Sequence, residues 1–210
     1  MKKVVFTSLI LLIALTLVGC SETEDDIVIN QEETVPYESY LKDTNPVVTI
    51  KVKDYGTMTL QLFPEVAPNS VRNMINLIEN NYYEGLIFHR VIQGFMIQGG
   101  WGEESGCAIA GEFNSNGFNN PLKHARGVFS MARTMNPNSA TSQFFIMHQN
   151  SPHLDGEYAG FGAMVSGFDV LDQIATTSTG AQDRPVEDIV ITSMSVDTKG
   201  ISYDAPTCYE

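Results

Sequence analysis

Between residues 46 and 198 this chain holds eight short apolar or β-branched runs and only two segments with helical spacing, a pattern that confines it to a mainly β domain. The first two runs, Val47 to Lys53 and Thr57 to Phe63, flank Asp54-Tyr55-Gly56, which supplies a hairpin turn. Further strands are expected at 86–92, 95–99, 127–133, 143–148, 160–166 and 187–197. Val71, Met74, Ile75 and Ile78 recur at helical spacing, with Pro68 near the start and Asn80-Asn81 at the stop, and Phe168 to Ala175 fits a second short helix. Eight strands and two helices in one domain suggest a closed antiparallel barrel, because closure leaves no unpaired edge.

Two stretches of this strand text carry chemistry: Phe88-His89-Arg90-Val91-Ile92-Gln93-Gly94-Phe95-Met96-Ile97-Gln98-Gly99-Gly100 and Ser142-Gln143-Phe144-Phe145-Ile146. Each sets side chains with several hydrogen-bond donors among large apolar groups. That combination suits a site that grips an apolar ring and acts on a neutral amide, with no nucleophile or metal required. Strand parity puts Gln143 and Phe145 on one face and Phe144 and Ile146 on the other, so one face can be groove and the other core; Met96 and Gln98 likewise share a face. His89, His124, His148 and His153 show no metal-ligand spacing and read as structural or surface residues, so no metal or cofactor is expected. Taken alone, Phe95, Met96, Phe145 and Leu154 would read as core residues and Arg90 as a salt-bridged or exposed one.

Over residues 46–198 the chain resembles the cyclophilin-type peptidyl-prolyl cis-trans isomerases. The likeness rests on six blocks in the family's order: Phe88-His89-Arg90, Gly94 to Gly100, Gly111-Glu112-Phe113, Ser130-Met131-Ala132-Arg133, Ser142 to Ile146, and Leu154-Asp155-Gly156-Glu157-Tyr158-Ala159-Gly160-Phe161-Gly162. The resemblance implies an eight-stranded barrel capped by two helices, with a peptide groove on its outer surface and proline-containing polypeptides as substrates. It implies a proline-ring pocket of Phe95, Met96, Phe145 and Leu154. Gln98 and Gln143 would hold Arg90 and the substrate carbonyl, and the backbone at Ala132 and Arg133 would bind the peptide as an extended strand. Tyr158 stands where other members have histidine, keeping an aromatic with a polar tip. His153 replaces a tryptophan common at the groove's edge, which implies weakened binding of cyclosporin-type inhibitors. After Gly99-Gly100 the family usually continues with an aspartate and a long glycine-rich loop, whereas Trp101 to Cys107 is short and acidic, leaving substrate preference there open.

The chemistry can be stated independently of the family. A prolyl bond turns over a barrier of ~18–20 kcal/mol set by amide resonance. A catalyst must therefore favour the twisted amide, whose nitrogen regains a lone pair, over the planar one. A fixed guanidinium can donate a hydrogen bond to that nitrogen, and Arg90 is the candidate; the resemblance implies that Gln98 and Phe95 complete the catalytic set. Because a guanidinium stays charged at working pH, activity is expected to vary little with pH through this group. The alternatives on the same scaffold are a weakly catalytic peptide-binding module or chaperone, and a surface adhesin in which the barrel is a platform.

The front of the chain sets the expected location. Lys2 and Lys3, an apolar run from Val4 to Val18, and Leu17-Val18-Gly19-Cys20 follow the order of a secretory signal and resemble a lipobox, with residues 1–19 removed and Cys20 lipidated. This mostly apolar run of 15 residues falls short of the ~20 a spanning helix needs. Cleavage leaves 191 residues with 10 basic and 25 acidic side chains, a formal charge of −15 that should repel nucleic acid and anionic headgroups. Lipid chains on Cys20 would still anchor the protein at the extracytoplasmic face of a bacterial membrane. Residues 20–45 read as an acidic, extended tether, with Thr34 to Leu41 able to dock on the domain, and residues 199–210 as a C-terminal tail. Cys107 and Cys208 remain, and outside the cytoplasm they could pair; monomer is the default assembly.

Overall fold

The computed structural model describes residues 35–103 and 105–210. The proposed signal segment, Cys20 and most of the acidic tether lie outside the described residues. Eight antiparallel strands form one sheet: β1 (Val47–Val52), β2 (Gly56–Leu62), β3 (Phe88–Ile92), β4 (Met96–Gly99), β5 (Val128–Met131), β6 (Phe144–Met147), β7 (Gly160–Ser166) and β8 (Ile191–Asp197). Helices α1 (Pro68–Glu79) and α2 (Phe168–Ala175) pack against it, α1 on β7 and β8, α2 on β2, β3 and β4. No helix of the described residues is long and apolar enough to cross a membrane.

Alternation along β1 and β2 explains their pairing. Val48, Ile50 and Val52 point inward opposite Leu60, Met58 and Gly56, and a tight turn with Asp54 at φ 63° and Gly56 at φ 129° reverses the chain. Helix α1 buries Val71, Met74, Ile75 and Ile78 as its spacing requires, together with Leu77. Its first turn is capped from far away. The buried Glu112 carboxylate accepts hydrogen bonds from the backbone N–H of Asn69 (2.9 Å) and Ser70 (2.7 Å) and from the Ser70 hydroxyl (2.7 Å). Those bonds satisfy donors the helix leaves open and set a negative charge at the positive end of its dipole.

The expected closed barrel needs correction. The strand order is β3-β4-β6-β5-β7-β2-β1-β8, so β3 and β8 are the ends of a curled sheet with no ladder between them. Residues just before the two strands bring these ends together, through one bridge between Ile87 and Val190 and bonds from Gly85 N–H to Ile191 O (2.9 Å) and Phe88 N–H to Ile189 O (3.0 Å). The eighth strand accordingly starts at Ile191 rather than at 187.

Packing extends beyond the strands at both ends of the described chain. Tyr37 is buried, and its hydroxyl donates to Met164 O (3.2 Å), so the segment from Val35 docks on the sheet. At the other end a disulfide joins Cys107 to Cys208. Asn69 and Thr207 exchange hydrogen bonds of 2.9 and 2.8 Å, and Tyr209 N–H donates to Ala108 O (2.8 Å), which lays the tail across the start of α1.

Candidate active site

Strands β4 and β6 lie side by side with Gln98 opposite Phe145, and their outward residues build a groove of about 310 Å3. Arg90, Phe95, Met96, Gln98, Ala132, Arg133, Phe145, Leu154 and Tyr158 line it. Its volume sits at the small end of the range for ligand sites, suited to one ring and its adjoining backbone. The other faces of the same strands fill the core: Phe144 and Ile146 are fully buried against Phe88, Phe129 and the helices.

The floor is apolar. Met96, Phe145 and Leu154 are buried in an outer cluster with Phe63, Val66 and Met147, and half-buried Phe95 and Tyr158 close its sides. Tyr158 meets Phe145 edge-on at 5.7 Å, and the exposed His153 ring stacks on Phe95 at 5.6 Å, outside the lining. Beneath Phe145 lies a serine–histidine–aspartate arrangement. His124 stacks on the phenyl ring at 6.0 Å, with Nε2 3.1 Å from the Ser130 hydroxyl and Nδ1 3.3 Å from Asp155. Ser130 is fully buried and burial pulls the His124 pKa below the usual histidine value, so the trio reads as a strut for the ring, without access for an acyl substrate.

The polar wall centres on Arg90. A β-bulge puts it there: Phe88 pairs with Gly99 and Arg90 with Gln98, leaving His89 as the extra residue, so His89 and Arg90 both face outward. Arg90 Nε donates to Asp183 Oδ2 at 3.3 Å, and its Nη1 makes a long contact of 3.5 Å to Gln98 Oε1. Gln98 Nε2 in turn donates to Gln143 Oε1 at 3.0 Å. Gln143 therefore reaches Arg90 only through Gln98. Nη2 has no protein partner among the described residues, which leaves donor capacity on a side chain that lines the groove. Arg133 folds back, its guanidinium 4.4 Å over the Tyr158 ring and donating to Glu157 O at 3.1 and 2.8 Å.

Residues matching the model of the family described as cyclophilin type peptidyl-prolyl cis-trans isomerase/CLD run from 47 to 196. The chain belongs to the cyclophilin-type peptidyl-prolyl cis-trans isomerases. It is 41% identical over 157 residues to peptidyl-prolyl cis-trans isomerase B of Escherichia coli strain K12, covering 68% of this chain and 95% of that protein. A Streptococcus pyogenes serotype M6 protein whose name pairs a phosphatase with a peptidyl-prolyl cis-trans isomerase is 39% identical over 202 residues, covering 80% of this chain and 42% of that longer one. Among solved structures, a Cryptosporidium parvum cyclophilin type peptidyl-prolyl cis-trans isomerase, crystallised in the presence of the dipeptide ala-pro, superposes with a TM-score of 0.65 at 32% identity. That match covers 72% of this chain and 98% of the other. The enzyme is thus a peptidyl-prolyl cis-trans isomerase, the class its relatives name.

Of the eleven groove residues expected from the sequence, nine line this cyclophilin groove; Gln143 is bonded to the lining residue Gln98, and His153 stacks, exposed, on Phe95 outside the lining. Asp183 was missed. It sits in a turn where Gln182 and Asp183 both take the left-handed conformation (φ 59° each), closed by Gly180 N–H to Arg184 O at 2.8 Å. Such backbone strain concentrates at functional sites, and here it points the carboxylate at Arg90. The Gly180 to Pro185 run marks a turn in the sequence, but nothing in it names Arg90, 93 residues away, as the partner.

Proposed function

We propose that the chain speeds exchange of X-Pro bonds without a covalent intermediate, Arg90 donating a hydrogen bond to the nitrogen of the twisted prolyl amide. One observation carries this reading: a ring-sized apolar floor and a guanidinium held from two sides share a single groove. Amide resonance vanishes in the twisted state, so a donor aimed at the nitrogen favours that state over the planar one. Met96, Phe145, Leu154 and Phe95 hold the proline ring. Gln98 and Gln143 steady Arg90 and meet the substrate carbonyl, and the backbone at Ala132 and Arg133 runs beside the peptide as a partner strand.

We place this activity in folding of secreted proteins, with the domain tethered through lipid on Cys20 at the extracytoplasmic face of a bacterial membrane. The residue order from Lys2 to Cys20 supports that placement, as does a disulfide between Cys107 and Cys208, since disulfides persist in oxidising compartments.

The test is an NMR exchange measurement on a short X-Pro peptide with the unmodified protein and with Arg90→Ala. Exchange should be fast with the first and at least tenfold slower with the second, thermal unfolding being unchanged. Equal rates would remove Arg90 from its role, and peptide binding without exchange in either protein would favour a binding module.

A further inference from the structure

The chain has one tryptophan, Trp101, and the fold leaves it 64% exposed immediately beyond β4. The backbone around it is anchored. Gly100 takes φ 81° where a Cβ would lie 2.7 Å from Ser142 O, and a Cβ at Gly102 would stand 3.0 Å from both Leu86 and the Tyr82 hydroxyl. Only glycine suits position 100, and Gly102 keeps the loop in tight contact with Leu86 and Tyr82. The Ser142 hydroxyl donates to Gly100 O at 2.8 Å and sits 3.0 Å from the Tyr82 hydroxyl, while the Tyr83 hydroxyl donates to Ser142 O at 2.9 Å. Further along, the Cys107–Cys208 disulfide fixes the loop's far end. The indole itself meets the His89 ring edge-on at 5.6 Å.

This platform adjoins the groove on the side of Arg90 and Gln98. His89 follows Arg90 onto the outer face through the bulge, and Gln143, already joined to Gln98, lies beside its ring. We propose that Trp101 and His89 form an additional subsite for the bound polypeptide, taking an aromatic or large aliphatic side chain a few residues from the proline. This rests on the groove being the peptide site. Trp101 is three residues beyond Gln98 and the chain turns at Gly100, so about 10 Å is the upper limit of the span and about three residues the upper limit of the offset along the peptide.

The chemistry selects the occupant. A cationic side chain is disfavoured by Arg90 and Arg184, both close enough to His89 to help burial lower its pKa. An acidic one meets Glu103, two residues along from Trp101, and a chain of formal charge −13, while Arg90 and Arg184 are already paired with Asp183 and Asp188. An apolar ring meets the indole face and the edge of a neutral imidazole, and an anchored aromatic loses little freedom when covered.

The test uses Trp101 as its own probe in the full protein. Three proline peptides are compared: one with phenylalanine three residues before the proline, one with phenylalanine three residues after it, and one with alanine at both positions. One of the two phenylalanine peptides should bind about tenfold more tightly than the alanine peptide, with a shift of tryptophan emission on saturation, and Trp101→Ala should erase that preference. Equal affinities on both sides, unchanged emission at saturation, or a preference that survives Trp101→Ala would overturn the subsite. The exchange rate of the alanine peptide reports separately on the groove: normal exchange without a preference fails the subsite alone, whereas absence of exchange fails the groove reading and the subsite with it.

Discussion

Met96, Phe145 and Leu154 on one side of the groove are buried and come from the strands or turns next to each other, while Arg90, Gln98 and Gln143 on the other are half-buried and lean on partners up to 93 residues away. The apolar side is held by packing, which needs only the right size and face. The polar side is held by directed bonds, which need a particular atom in a particular place. Shape is therefore expected to govern how tightly a proline peptide binds, and the bonded wall how fast it turns over.

Several substitutions would break or sharpen that contrast. The largest effect on affinity is expected from Phe145→Ala, which removes the ring standing on His124 and facing Tyr158. Peptide affinity should fall by about tenfold or more, a loss in line with emptying a buried aromatic site, and kcat should fall less. A Phe145→Ala protein that binds normally would erase the distinction between the walls. On the polar side, Asp183→Ala should lower kcat about threefold with KM little changed, because Arg90 keeps its charge and loses one of two anchors. Its melting temperature should barely move, since the pair is 41% and 47% exposed and such pairs add little to stability. An unchanged rate would make the Asp183 contact incidental.

A smaller effect concerns the strut under the apolar side. Burial holds the His124 pKa, and that of His89, below the ordinary value near ~6.5, so the folded protein keeps both rings neutral where the unfolded chain binds protons. Stability should accordingly be complete above that value and decline as pH falls through it. Melting temperature should drop by about 2 °C or more between pH 7.5 and 5.5, and His124→Gln should flatten the slope. A flat profile in the unmodified protein would contradict the neutral strut.

The same contrast explains what the sequence made legible. Parity separates Phe145 and Met96 from the inward Phe144, Ile146 and Ile97 that fill the core, but it took the family resemblance to mark the outward set as groove and not core. Helix α1 follows from the spacing of Val71, Met74, Ile75 and Ile78. Contacts that join remote segments were hidden. The bulge at His89 adds one residue without changing the apolar text, and Gln182 and Asp183 enter the left-handed region with no glycine to announce it. Glu112 stands in a recognisable block, yet its task as the cap of α1 appears only when the two segments meet. Full closure was overestimated for a related reason. Strand count sets how many edges must be managed, and a bridge at Ile87 and Val190 with its flanking backbone bonds brings these ends together without a ladder.

The central claim, that Arg90 acts on the twisted amide and the apolar floor does the holding, is tested most directly by one NMR line-shape titration of a short X-Pro peptide with Arg90→Ala. Affinity and exchange rate come from the same spectra. The expected result is an affinity within about threefold of the unmodified protein and an exchange rate lower by on the order of a hundredfold, the scale of losing one transition-state donor. Exchange at the unmodified rate, or affinity and rate falling by the same factor, would contradict it.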